Sequence, residues 1–269
     1  MEKLKLPEKF RAAMNFHSDV CEIHNMQKMV INGEVVCPRC KLEEQDRALE
    51  DEMKAFHKEA LQRKDYNILF YESILQDATL LNARLHNYSA REPEEIENKH
   101  KVEAALKRLK AGEIFNMLLQ GNPGAGKSHL AYSVLYELNE MKVPDRTCLF
   151  IDVDAMLRKI RASFKDKDSK YTEEYFVKLM SEAEFLVLDD LGAETGAIDS
   201  DKGASNFVHR VLYAVANARQ DKATITTTNL KSETLFGMYD SKLVSRLLKQ
   251  ATYVIFKETK DKRLQNLLF

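Results

Sequence analysis

The sequence predicts an α/β fold, a parallel five-stranded sheet between helices, preceded by a small metal-binding module and a helical linker. Three observations carry that prediction. An apolar run, Ile114 to Gln120, leads into Gly121-Asn122-Pro123-Gly124-Ala125-Gly126-Lys127-Ser128 and then into a helical stretch from His129 to Met141. Through the rest of the chain, apolar runs of strand length alternate with helical stretches, the pattern of a parallel sheet covered on both faces. Near the start, Cys21-x-x-His24 is followed by Cys37-Pro38-Arg39-Cys40, two chelating pairs at the spacing of a tetrahedral structural zinc site.

Length and composition set the bounds. A chain of 269 residues holds one large and one small domain with ample core. Its formal net charge of -1 gives no bulk attraction for nucleic acid, so any DNA contact must come from a local patch. No leader segment and no apolar run long enough to span a bilayer are evident, and the expectation is a soluble, cytoplasmic protein with no membrane partner. Three of the four cysteines lie in the first forty residues. Crowding of that kind suits a metal site in a reducing compartment better than disulfides.

In chain order, residues 1–15 form a short amphipathic stretch, and the zinc-binding module is expected to span 1–45. Asn32-Gly33 lies between Met29-Val30-Ile31 and Glu34-Val35-Val36. Both turn residues tolerate positive φ, so a hairpin there folds the second chelating pair back towards the first. With Cys21, His24, Cys37 and Cys40 all bound, the zinc has no open position and serves the fold, supplying energy that so small a module lacks. A helical linker is expected over 46–74, with Leu49, Met53, Phe56 and Ala60 on one face. From Lys64 to Lys110 the pattern stays mostly helical, broken near Asn87-Tyr88-Ser89 and Arg91-Glu92-Pro93, where a nucleotide base could rest.

The domain expected over 75–269 begins its sheet with the run before Gly121. The sequence Gly121 to Ser128 fits G-x-x-x-x-G-K-[ST], the loop whose backbone N–H groups cradle phosphates at a helix N-terminus. Gly121, Asn122, Pro123, Gly124, Ala125, Gly126 and His129 are thus expected around the phosphates of ATP. Lys127 is expected to reach the β- and γ-phosphates, and the Ser128 hydroxyl to ligate Mg²⁺. Thr147 to Val153 is the second strand. Arg158, Lys159, Arg161, Lys165, Lys167 and Lys170 follow in a stretch read as helical, diluted by Asp154, Asp166 and Asp168. Phe185-Leu186-Val187-Leu188 is the third strand and ends on Asp189-Asp190, where Asp189 is expected to hold Mg²⁺ and Asp190 to orient or deprotonate the attacking water. Asn206 to Gln220 reads as a helix, Ala223 to Asn229 as a strand that aims Asn229 at the γ-phosphate, Lys242 to Leu248 as a helix and Thr252 to Phe256 as the fifth strand.

GNPGAGKSHLA, FLVLDDLGAE, TITTTN and the SRLL around Arg246, in that order, resemble the bacterial or phage replicative helicase loaders of the DnaC/DnaI type. These lie in the IstB-like branch of the AAA+ ATPases, which build on a P-loop domain. The resemblance runs from about residue 75 to the end, and the cysteine module is similar to the amino-terminal, helicase-binding part of the DnaI side. It implies an ATPase that binds a hexameric replicative helicase and delivers it onto single-stranded DNA. It further implies Asn229 at a sensor position and Arg246 as an arginine finger reaching the ATP of a neighbouring copy, so that copies associate through their ATP sites. Single-stranded DNA is then expected on the basic interval from Arg158 to Lys170. A second sensor arginine is expected near the end; Arg263 is the nearest candidate, although no glycine precedes it. Related ATPases often carry Glu where Asp190 stands, and the shorter side chain implies slow hydrolysis. Two other readings stay open: an IstB-like transposition helper, and a nucleotide-gated adaptor or helicase inhibitor with little turnover.

Overall fold

The computed structural model describes residues 16–195 and 204–263; the amphipathic stretch expected at 1–15 lies outside them. The chain divides into two compact units, Met1–Ala60 and Leu61–Phe269, and the division falls within the segment expected as linker.

In the first unit, β1 (Phe16–Val20), β2 (Gln27–Ile31) and β3 (Glu34–Val36) form an antiparallel sheet in sequence order. Asn32 and Gly33 have φ of 52° and 86°, the left-handed pair that a two-residue hairpin turn demands. Ile31 and Glu34 pair directly across it. Helix α1 (Pro38–Tyr71) starts inside the second cysteine pair. Proline is favoured at a first helical position, where its missing N–H costs nothing. No glycine or proline follows before Tyr71, so nothing local stops the helix. The α-helix ends there, well ahead of the break expected near Asn87 to Pro93, and resumes only at Pro93; Ile74 makes a parallel bridge to Ile151.

The second unit is built on β4 (Met117–Gly121), β5 (Cys148–Asp152), β6 (Phe185–Asp189), β7 (Ala223–Thr228) and β8 (Thr252–Phe256), all parallel in the order β5-β6-β7-β4-β8. Strand β4 starts later than the apolar run suggested. Asn116 serves as a bracket instead: its side chain accepts from the Thr224 N–H at 2.9 Å and donates to the Arg246 carbonyl at 3.1 Å. Helices α2 (Pro93–Lys110), α3 (Lys127–Asn139), α4 (Val153–Ser163), α5 (Glu173–Glu182), α6 (Asn206–Ala218), α7 (Ser232–Met238) and α8 (Ser241–Leu247) cover the sheet. Successive strand residues point to opposite faces. Cys148, Phe150, Phe185 and Val187 enter one apolar cluster with α2 and α3, while Leu149, Ile151, Leu186 and Leu188 enter another with α4, α5 and α6.

One expectation is corrected here. The basic interval is helical only as far as Ser163. Lys165, Lys167 and Lys170 lie in a loop, where the Asp166 carboxylate accepts from the Asp168 N–H at 3.1 Å, a local turn that competes with helix.

Because every strand of the large sheet runs the same way, Gly121, Asp152, Asp189 and Thr228 finish at one edge. Ligands of open α/β sheets bind at that edge.

Candidate nucleotide site and metal centre

The loop between β4 and α3 depends on glycine at its first position. Gly121 has φ of +145°, and a Cβ there would stand 2.1 Å from the Phe256 carbonyl oxygen on the neighbouring strand. Gly126, at φ +89°, caps α3, and a Cβ would meet the Tyr88 ring at 2.5 Å. The Tyr88 hydroxyl donates to the Ala125 carbonyl at 3.0 Å, so the tyrosine pins the loop from outside.

Lys127 is buried. Its ammonium donates to the carbonyls of Gly121 and Asn122 at 2.8 Å each and to Asn229 Oδ1 at 2.7 Å. The other end of the Asn229 amide donates to Asp190 Oδ1 at 2.7 Å. The Thr227 hydroxyl donates to Asp189 Oδ1 at 2.6 Å and accepts from the Asp190 N–H at 2.9 Å. A cation, two carboxylates and an amide from three adjacent strand ends therefore share one connected network, which fixes which end of the Asn229 amide faces which partner.

Burial tunes the charged members. It pushes the Lys127 ammonium down to about 8, against the pull of Asp190 and Asp189. Burial also lifts Asp189 to about 6, opposed by hydrogen bonds from Thr227 and Ser128, and raises Asp190, with Asp152 adding to the effect. An anion with its divalent cation reverses both penalties: phosphate restores the ammonium and a cation restores the carboxylates.

A cavity of about 610 Å³ opens over this network. Gly124, Gly126, Lys127, Ser128 and His129 line it with Asp189, Asp190, Thr227 and Asn229, and residues of the segment before α2, among them Gln76, Leu80 and Tyr88, line it as well. The loop and the two acids expected around Mg²⁺-ATP thus come together. Ser128 and Asp189, expected to hold Mg²⁺, both line the cavity, and the Ser128 hydroxyl is hydrogen-bonded to the Asp189 carboxylate. Arg263 also lines the cavity, its guanidinium held on Asp261 at 3.1 Å. Arg246 does not line it: the side chain lies over the Tyr213 ring at 4.8 Å and donates to the Lys242 carbonyl at 2.9 Å. Sequence reasoning missed Thr227, and it read Tyr88 only as part of a break where a base could rest, not as a brace on the loop. The threonine run of β7 offered a signal, since a hydroxyl on a buried strand needs a hydrogen-bond partner; nothing local marks the Tyr88 contact with Ala125.

The first unit carries the second candidate centre. Cys21, His24, Cys37 and Cys40 present donor atoms that all lie within 4.8 Å of one another. The Cys21 and Cys40 sulfurs are 3.6 Å apart, and His24 Nδ1 stands 3.8, 3.6 and 3.3 Å from the sulfurs of Cys21, Cys37 and Cys40. A tetrahedral zinc with bonds of about 2.3 Å to sulfur and about 2.0 Å to nitrogen has edges of about 3.8 Å between sulfurs and about 3.5 Å from sulfur to nitrogen. The four residues fit that metal. His24 Nε2 sits 3.0 Å from Glu43 Oε1, the outer carboxylate that fixes a ligating imidazole. The His24 backbone N–H is the largest influence drawing the Cys21 thiol down to about 6, while burial and the neighbouring thiols push Cys40 up to about 11. Three thiols this close cannot all ionise without a cation among them. Cys148, by contrast, is fully buried in β5.

The sequence profile of the ATPase family associated with various cellular activities (AAA) matches residues 117–253, about half of the chain. Over 146 residues the chain is 23% identical to the replicative helicase loader DnaC of Escherichia coli (strain K12), covering 54% of this chain and 55% of that protein. It is 29% identical over 140 residues to the chromosomal replication initiator protein DnaA of Flavobacterium psychrophilum, 27% of that protein's length. The chain thus spans about half the length, or less, of these curated relatives. Among solved structures, the DnaC helicase loader superposes with a TM-score of 0.54 at 23% identity, covering 67% of this chain and 100% of that one. DnaI superposes at 0.55 with 20% identity, covering 68% and 95%. At these identities the structural likeness speaks for the fold. Among the described residues, no helix is long and apolar enough to cross a membrane.

Proposed function

The chain belongs to the AAA family of ATPases, and from that membership we propose that it is an ATP-dependent loader of a replicative DNA helicase. The observation that carries the reading is the pairing, in one chain, of the Lys127, Asp189, Asp190 and Asn229 network with the Cys21, His24, Cys37 and Cys40 centre. The similarity to DnaC supports it.

In this reading Lys127 binds the β- and γ-phosphates, and Ser128 and Asp189 hold Mg²⁺, which supplies neutralising charge to the phosphate oxygens. Asp190 accepts the proton of the attacking water. Asn229, already shared between Lys127 and Asp190, holds that water in line with the γ-phosphate. Arg246 serves the ATP of a neighbouring copy, stabilising charge that develops in transfer; its place outside this chain's own cavity agrees with service in trans. Arg263, which lines the cavity, acts as the second sensor. Single-stranded DNA runs over the basic interval, where Phe164 is exposed and lies edge-on to Phe207 at 5.8 Å, with Lys159 4.4 Å from the Tyr171 ring centre. Cations interleaved with aromatic faces suit a flexible strand. The zinc module grips the helicase.

The test is transfer of the hexameric helicase onto single-stranded DNA. The chain should promote loading with ATP, and Lys127→Ala and deletion of residues 1–60 should each abolish it. Loading without this chain's nucleotide site would refute the mechanism. A second reading, a nucleotide-gated adaptor, is favoured by aspartate at position 190: equal function of wild type and Asp190→Asn would select it.

A further inference from the structure

Helix α1 carries an apolar stripe that, among the described residues, belongs to neither apolar cluster. Leu42, Leu49, Met53 and Phe56 are 57, 58, 62 and 70% exposed, and exposed Ala60 extends the row. Their spacing of seven, four, three and four places them on one face of the helix over about 27 Å. An exposed apolar row of that length is uncommon on a soluble surface and marks a contact.

The charges beside the stripe say which contact. Residues 43–52 contain Glu43, Glu44, Asp46, Glu50, Asp51 and Glu52 against a single base, Arg47, while residues 53–64 contain Lys54, Lys58, Arg63 and Lys64 against a single acid, Glu59, with His57 among them. The sign of the helix reverses at Met53. A second copy laid parallel would set acid against acid and base against base. Laid antiparallel about Met53, each copy sets its acidic half beside the other's basic half. The same two-fold places Leu49 against Phe56 and Met53 against its own symmetry mate, so apolar register and charge agree. Self-complementary surfaces of this kind close a dimer, and an apolar seam flanked by opposite charges specifies orientation as well as affinity.

We propose that this face of α1 binds a second copy of the chain in antiparallel register, with Met53 at the two-fold axis. The contact is independent of nucleotide and of the helicase-loading reading. It gives the chain a means of self-association separate from the ATP sites.

The test uses the full chain with zinc and without nucleotide, which removes any contribution from Arg246. Sedimentation up to about 100 µM should show a reversible dimer that Phe56→Glu dissolves at unchanged ATP affinity. A short bismaleimide should then link Met53→Cys copies to each other, and Leu49→Cys copies to Phe56→Cys copies. Leu42→Cys copies should remain unlinked, since antiparallel register sets them about 33 Å apart. The native cysteines are controlled by wild type. A monomer throughout the concentration range overturns the proposal, including the case in which residues 1–15 cover the stripe. Efficient linking of Leu42→Cys copies overturns the antiparallel register, as would a dimer indifferent to Phe56→Glu.

Discussion

Replacing the buried carboxylate at the end of β6, proposed above to hold Mg²⁺, should make the empty protein more stable while it destroys function. Asp189 is buried at the end of β6, and burial raises its carboxyl from 3.8 to about 6. At about 1.4 kcal/mol per unit, holding that group ionised in the folded chain costs on the order of 3 kcal/mol. The sign follows from linkage. A carboxyl whose folded value lies above its unfolded value is destabilising wherever it is ionised, so the cost is absent below 3.8 and fully present above about 6. Asp189→Asn removes the charge and keeps an oxygen to accept from Thr227, whose hydroxyl now donates to Asp189 at 2.6 Å. The variant should therefore gain about 3 kcal/mol at about pH 7.5, a rise in melting temperature of roughly 6–12 °C for a unit of this size. At about pH 4.5 the gain should shrink to about 1 kcal/mol. The assay is thermal unfolding in a chelator for divalent cations, without nucleotide, at both pH values. Adding Mg²⁺-ATP should reverse the order, because ligand stabilises only the chain that binds it. A variant less stable than wild type at the higher pH, or a gain indifferent to pH, would refute the electrostatic account.

The same geometry sets three further expectations. Gly121→Ala should cost more than about 3 kcal/mol, since its Cβ would overlap the Phe256 carbonyl; chemical denaturation reads this, and wild-type stability would contradict it. ATP binding near and above pH 8 should take up a proton, because Lys127 is held at about 8 when the site is empty and phosphate restores its charge; calorimetry in buffers of different ionisation enthalpy measures it. Cys37→Ser, or removal of zinc, should unfold the hairpin module while leaving nucleotide affinity within about twofold, as judged by amide exchange in residues 16–45 and by ATP titration.

The sheet was legible because its strands announce themselves chemically. Phe185 to Leu188 is uniformly apolar and ends on two acids, and Gly121 to Ser128 leaves few alternatives for the turn out of a buried strand. The cluster of Cys21, His24, Cys37 and Cys40 was legible because chelating pairs need fixed spacing and Asn32-Gly33 fixes the return of the chain. The features that stayed hidden depend on contacts distant in sequence. Asn116 looked like strand but brackets β7 and α8, and Tyr88 reaches Ala125 only once the sheet is assembled. The break after Tyr71 has no glycine or proline to mark it; the sheet edge at Ile151 recruits Ile74. The lysines from 165 onward had helical composition, but a local aspartate favours a turn there.

The central claim is that this ATPase grips a replicative helicase through its amino-terminal unit. The measurement that tests it most directly is size-exclusion chromatography with light scattering of the full chain mixed with the replicative helicase of the same cell, in zinc and ATP. The account predicts a complex that Cys37→Ser or deletion of residues 1–60 abolishes, while Lys127→Ala weakens only its dependence on nucleotide. Helicase and chain eluting separately at micromolar concentrations, with ATP demonstrably bound, would contradict it.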